Sequence, residues 1–230
     1  MNLEKLQELE EKIGINFKNK DLLLQALTHR SYINERPEWH LDHNERLEFL
    51  GDAVLELVVT EYLYNNYSNP EGELTNWRAA LVNSVMLAKI SSKIDLNDYI
   101  LLSKGEARDV GRARQYILAN AVEAVLGAIY IDQGYAACDN FIKKIIITEL
   151  ENVFETKSYK DYKSLFQEKA QELAGITPNY EVVKEWGPDH AKQFHVGVYL
   201  DKELIGEGAG PSKQDAQQAA AENALKNKGW

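Results

Sequence analysis

The sequence predicts an all-α domain of about 150 residues followed by a small α+β domain with the order helix, three strands, helix. Two changes of texture carry this prediction. Apolar residues recur with a helical period through the first two thirds of the chain, and three later stretches read as strands, the middle one alternating with a period of two. Between these regions "ETKSYKD" is polar and unpatterned, which reads as a link. The boundaries are set at 1–154 for the first domain, 155–160 for the linker and 161–230 for the second domain.

The helical stretches are "LEKLQELEEKIG", "DLLLQALTHRSY", "ERLEFLGDAVLELVVTEYLYNNY", "ELTNWRAALVNSVMLAKISSKI", "RQYILANAVEAVLGAIYIDQG" and "YAACDNFIKKIIITELENVF". Breaks fall at Gly14, Pro37, "SNPEG" and "LSKGEARDVGRAR", where glycine and proline interrupt the pattern. In the second domain "YKSLFQEKAQELAG" is helical, and "NYEVVKEW", "QFHVGVYL" and "ELIGEGAG" read as strands. The alternating Phe194, Val196, Val198 and Leu200 suit a half-buried sheet. The last helix, "SKQDAQQAAAENALKNKG", has Ala216, Ala219, Ala220 and Ala224 on a face small enough to lie close on that sheet.

Composition excludes little but orders the alternatives. Apolar residues make up 44%, enough for a core, and the net charge is −10, which weighs slightly against nucleic acid unless the basic residues cluster. Cys138 is the single cysteine, so neither a disulfide framework nor a cysteine zinc site is expected. The charged start "MNLEKLQELEEKIG" has no apolar leader, and the longest apolar run, "ILANAVEAVLGAIYI", is too short and too polar to span a bilayer. A cytoplasmic protein without membrane attachment is the expectation.

Two patterns point to chemistry. On the third helix Glu45, Glu48, Asp52 and Glu56 follow at steps of three, four and four. At about 100° per residue they share a sector of roughly 80°, opposite the apolar side. Such an edge is often a solvated face, but solvated faces mix signs to avoid i,i+4 repulsion, and no Lys or Arg shares the sector of these acids. Phe49 lies beside them, a large aromatic on a polar edge that suits contact with a partner. The second pattern is Asn120 and Glu123, the only strongly polar side chains in a helix apolar nearly all round. A buried carboxylate needs a cationic partner, a hydrogen bond or a metal. If this pair faces the first stripe, Glu48, Asp52, Asn120 and Glu123 make an all-oxygen set of the kind hard cations choose.

"HNERLEFLGDAVLEL" resembles the signature of the ribonuclease III family, and "ILANAVEAVLGAIYIDQG" resembles its second active-site helix. "ALTHRSY" and "PEGELTNWRAALV" are similar to further blocks of that family, in the same order, and residues 159–228 are similar to a double-stranded-RNA-binding domain. The resemblance covers almost the whole chain. It implies an all-α endonuclease domain followed by an α+β (α-β-β-β-α) double-stranded-RNA-binding domain. It implies that Asp52 and Glu123 are catalytic, and that Glu48, Asp52, Asn120 and Glu123 hold Mg²⁺, with Mn²⁺ as a substitute. Glu45 and Glu71 match supporting acids, and Phe49 matches an aromatic of a homodimer interface. Asn120 departs from the pattern, because many members have Asp there; an amide keeps an oxygen donor but loses a negative charge and gains an NH₂ group.

The implied reaction is metal-dependent hydrolysis of double-stranded RNA to 5′-phosphate and 3′-hydroxyl ends with short 3′ overhangs, in rRNA and mRNA processing and decay. Lys104, Arg108, Arg112 and Arg114 are expected on a glycine-containing loop suited to phosphates. A solvated loop is the plain alternative for them. In the second domain the resemblance assigns RNA contacts to Gln167 and Glu168, to His190 in "GPDHAKQF", and to Ser212, Lys213, Gln214 and Gln217 at a helix start. Residues 159–230 hold nine lysines against eleven acids, so weaker RNA binding than in a lysine-rich relative is expected. Two rivals remain at this stage. One is a non-catalytic or impaired double-stranded-RNA-binding regulator on the same fold, motivated by Asn120 and by the lysine-poor start of the second domain's last helix. The other is a helical phosphohydrolase of small nucleotides, for which a duplex-reading domain would be superfluous.

Overall fold

A computed structural model gives the structure of residues 3–157, 159–188 and 191–230. The chain divides into two compact units, Met1–Tyr159 and Lys160–Trp230, and the division falls within the stretch expected to link two domains. Residues 155–159 go with the first unit because α9 (Leu150–Thr156) continues past the expected boundary. The ring of Tyr159 also packs edge-on against Trp77 and Phe154.

The first unit is helical. In chain order α1 is Leu3–Ile13, α2 Lys20–Ala26, α3 Arg30–Glu35, α4 Glu45–Asn66, α5 Glu71–Val82, α6 Ser84–Lys93, α7 Arg112–Gln133 and α8 Tyr135–Ile145, followed by α9. Local chemistry sets the ends. Asn19 and Asn83 accept from the backbone N–H of Asp21 and Met86, satisfying donors that α2 and α6 leave free. Gly134, at φ 82°, turns α7 directly into α8. The two longest helices, α4 and α7, have 22 residues each. They make the most extensive contact of any two elements, and α2, α6 and α8 also lie against α7. That encirclement is why α7 is apolar nearly all round: Leu118, Ala119, Ala121, Val122, Ala124, Val125, Leu126, Ala128 and Ile129 are all buried. Among the described residues, no helix is long and apolar enough to cross a membrane.

The second unit consists of α10 (Tyr162–Ala174), strands β1 (Asn179–Trp186), β2 (Gln193–Leu200) and β3 (Glu203–Gly210), and α11 (Lys213–Lys228). The three strands form one antiparallel sheet in the order β1-β2-β3. Val196, Val198 and Leu200 point into a core shared with Phe166, Ala170 and the alanines of α11. The expected close approach of α11 to the sheet is present, and β3 supplies the other half of it. A Cβ on Gly206 would lie 2.6 Å from the Ala220 carbonyl oxygen, and one on Gly208 would lie 2.2 Å from the Ala220 nitrogen.

Candidate active site

The crossing of α4 and α7 is made by two glycines. A Cβ on Gly51 would lie 1.7 Å from the carbonyl oxygen of Glu123, and one on Gly127 would lie 2.1 Å from the carbonyl oxygen of Leu47. The backbones therefore touch where no other residue allows it. Gly51 follows Glu48 by three residues and precedes Asp52, while Gly127 follows Glu123 by four. The close approach thus sets Glu48 and Asp52 on one helix against Asn120 and Glu123 on the other. Asn44, 3% exposed, anchors the start of α4. Its Nδ2 donates to the Ala26 carbonyl and its carbonyl accepts from the Glu48 N–H.

The electrostatics follow from this packing. Glu48, Asn120 and Glu123 are half-buried, and Asp52 is exposed beside them. Burial, reinforced by the charges of Asp52 and Glu48, pushes the Glu123 carboxyl up to about 8. Burial also raises Glu48; the side-chain hydrogen bond from Asn120 opposes that rise, and Glu45 and Asp52 add to it. The amide of Asn120 thus donates to a carboxylate. An aspartate in its place would add a like charge and remove the donor. Among the described residues, no group of three His, Cys, Asp or Glu side chains is already gathered tightly enough to hold a metal ion. The donors are all oxygen, as a hard cation requires.

The other expected residues are placed less uniformly. Glu45 lies at the rim of the site, paired with Arg30 at 3.5 Å and His43 at 3.8 Å. Glu71 stands apart from the four-residue group within this chain. It lines a groove between α4 and α5 with Thr60, Leu63, Tyr64, Leu74, Thr75 and Arg78, about 12 Å or more along α4 from Asp52. Phe49 is 81% exposed, and Leu57 and Tyr64 continue an apolar stripe down the same helix.

In the basic stretch, Lys104 and Arg108 are exposed. The backbone there is hung on α3, because the Lys104 N–H donates to the Glu35 carboxylate and the Ser103 N–H to Ser31 Oγ. Arg112 and Arg114, expected on a loop, belong instead to the first turn of α7. Arg112 is exposed, but Arg114 turns inward and its Nε donates to Asn97 Oδ1 at 2.8 Å. The periodic pattern gave no sign of this bond.

In the second unit Gln167, Glu168, Lys213 and Gln214 are exposed. Ser212 caps α11 by accepting from the Asp215 N–H and donating to the Asp215 carboxylate. Lys213 lies 3.7 Å from Glu185. Gln217 accepts from Lys163 Nζ at 2.8 Å, while Gln218 bridges to Asp161 and the Lys163 N–H. These bonds fix the spacing of α10 and α11, the two helices expected to meet RNA. His190 lies outside the described residues.

What sequence reasoning missed is chiefly Gly51 and Gly127. A glycine inside a helix costs about 1 kcal/mol relative to alanine, so two of them in the two most apolar helices signal a packing constraint.

Comparison with known proteins supplies the family. The model described as Ribonuclease-III-like matches residues 19–150, and the one described as Double-stranded RNA binding motif matches residues 162–228. Ribonuclease 3 of Borreliella afzelii is 46% identical over 222 residues, covering 96% of this chain and 90% of that protein. Ribonuclease 3 of Enterococcus faecalis is 46% identical over 222 residues, covering 96% of each. Among solved structures, the nuclease domain of ribonuclease III from Campylobacter jejuni matches with a TM-score of 0.56 at 42% identity, covering 61% of this chain and 95% of that one. That structure is described as flexible in a region involved in dimer formation.

Proposed function

Because the chain belongs to the ribonuclease III family, an endoribonuclease with an appended double-stranded-RNA-binding motif, we propose that it cuts double-stranded RNA by Mg²⁺-dependent hydrolysis. The products have 5′-phosphate and 3′-hydroxyl ends with short 3′ overhangs, and the cellular role is processing and decay of rRNA and mRNA in the cytoplasm. The observation that carries this reading is the glycine crossing, which places Glu48, Asp52 and Glu123 together with Asn120 on the same chain as a duplex-binding module.

The residues fit a hard divalent cation. Three carboxylates and an amide offer only oxygen, and burial with like charge pushes protons onto Glu48 and Glu123, an imbalance a dication removes. Bound there, Mg²⁺ would supply Lewis-acid activation of water and neutralisation of phosphate charge, and Mn²⁺ would substitute. The chain's own part is to hold and orient. Glu48, Asp52 and Glu123 would hold the ion, with the Asn120 oxygen beside them, and Asn120 steadies Glu48 through its NH₂ group. Lys104, Arg108 and Arg112 meet phosphates, and the exposed faces of α10 and α11 hold the duplex. Mapping product ends on a long duplex tests this reading: 5′-phosphates and staggered cuts are expected, and 5′-hydroxyl ends would contradict it.

Two further outcomes follow. Asn120→Asp adds a fourth carboxylate, so Mg²⁺ binding measured by calorimetry tightens by about 3- to 10-fold. Unchanged or weaker binding would show that the NH₂ donor to Glu48 matters more than the lost charge. The apolar stripe of Phe49, Leu57 and Tyr64 supports a homodimer, with one site working on each strand. Phe49→Asp is expected to weaken dimerisation at least 30-fold in sedimentation equilibrium. A variant that stays as dimeric as the parent would remove Phe49 from the interface.

A further inference from the structure

The face of α7 that carries Asn120 and Glu123 also carries a side chain to which neither the motifs nor the chemistry above gives a role. Arg112, Tyr116, Asn120 and Glu123 follow at steps of four, four and three. At about 100° per residue they fall within a sector of roughly 80°. Tyr116 is 53% exposed, while Leu118 and Ala119 on the neighbouring turn face the core. Its position is one turn, about 6 Å of helix rise, from Asn120 and about 10.5 Å from Glu123. Arg112, exposed in the first turn, lies the same distance beyond it on the other side. Tyr116 therefore stands between the acids and the basic end of the helix. A strand whose scissile phosphate sits at Glu48, Asp52 and Glu123, and whose neighbouring phosphate reaches Arg112, would run along this face of α7 past Tyr116.

We propose that Tyr116 is a substrate-contacting residue whose phenolic O–H donates to the sugar–phosphate backbone of the nucleotide beside the cut. The proposal rests on the reading that this chain hydrolyses duplex RNA. The chemistry suits the position. A phenol adds no charge to an acidic site, donates to a phosphate oxygen or a ribose 2′-hydroxyl, and reads no base, so it positions RNA without imposing a sequence. Because the contact is made equally in the bound and reacting states, its loss appears in KM and leaves kcat unchanged.

The test uses the full-length protein, a long RNA duplex and Mg²⁺, with wild type, Tyr116→Phe and Glu123→Gln in parallel. Tyr116→Phe is expected to raise KM about 3- to 10-fold, with kcat within about twofold and with the melting temperature and dimerisation of the parent. A duplex with 2′-deoxynucleotides at the positions flanking the cut separates the two backbone acceptors. If the partner is the 2′-hydroxyl, Tyr116→Phe has no further effect on that substrate; if it is a phosphate oxygen, the same loss appears on both substrates. An unchanged KM overturns the proposal, provided wild type cuts the duplex and Glu123→Gln does not. A Tyr116→Phe variant with altered melting or dimerisation also overturns it, because the residue would then be structural. Wild type that leaves duplex RNA intact would remove the proposed hydrolysis of duplex RNA, and this inference with it.

Discussion

Glu123→Gln is expected to melt about 2–5 °C higher than wild type at pH 8 without metal, and at the same temperature as wild type near pH 4. The sign follows from linkage. Glu123 is raised from 4.5 to about 8 in the folded protein by burial and by the charges of Asp52 and Glu48. Between those values the native state holds a proton that the unfolded chain has released, so stability falls as pH rises through the window. Glutamine cannot ionise, and the variant escapes that loss. The magnitude is kept small because Glu123 is only half-buried and water screens part of the repulsion. Mg²⁺ should narrow or reverse the difference at pH 8, stabilising wild type more than the variant, since the variant lacks one of the three carboxylates that would hold the ion. Thermal melts from pH 4 to 9, with and without Mg²⁺, check both halves. Parallel curves for the two proteins would show that Glu123 does not share a repulsive site with Glu48 and Asp52.

Gly51→Ala is expected to destabilise the first unit by roughly 3–5 kcal/mol, far beyond the usual effect of adding one methyl group. In most helices this change is favourable by about 1 kcal/mol. Here the new Cβ would lie 1.7 Å from the carbonyl oxygen of Glu123, 2.6 Å from its carbonyl carbon and 2.8 Å from the Gly127 nitrogen. All three are backbone atoms, so no rotamer change relieves the clash and α4 must move off α7. That displacement separates Glu48 and Asp52 from Glu123, so activity should fall even where the variant stays folded. Gly72→Ala is the control. Its Cβ meets nothing within 4 Å near the start of α5, so it should be neutral or slightly stabilising. Urea unfolding of the two variants beside wild type measures the contrast. Equal stability of Gly51→Ala and Gly72→Ala would mean that α4 and α7 do not cross at this point.

Much of this arrangement was legible in the residues because it rests on periodicity. The three strands occupy the spans read as strands, with the alternation of β2 the clearest signal, and α7 is buried on the sides its apolar residues cover. The acids of α4 lie on one edge with Phe49 exposed beside them. Periodicity says which way a side chain points from its own element but not what it meets across a gap. The inward turn of Arg114 to Asn97, the Lys163–Gln217 bond and the Asn120–Glu48 bond all depend on a second element. α7 starts two residues before the periodic pattern does, because the first turn, "RAR", offers only the exposed Ala113 to mark a helix. The glycines were visible as residues, but their meaning needed the partner helix.

The most direct test of the account is cleavage of a long RNA duplex by the purified protein in Mg²⁺, with a matched single strand and the Glu123→Gln variant in parallel. Wild type is expected to cut the duplex only when metal is present and to spare the single strand, and the variant to lose at least about 10³-fold in rate while still binding the duplex. Wild type that binds duplex RNA without cutting it in Mg²⁺ or Mn²⁺, or a variant that cuts as fast as wild type, would contradict that expectation.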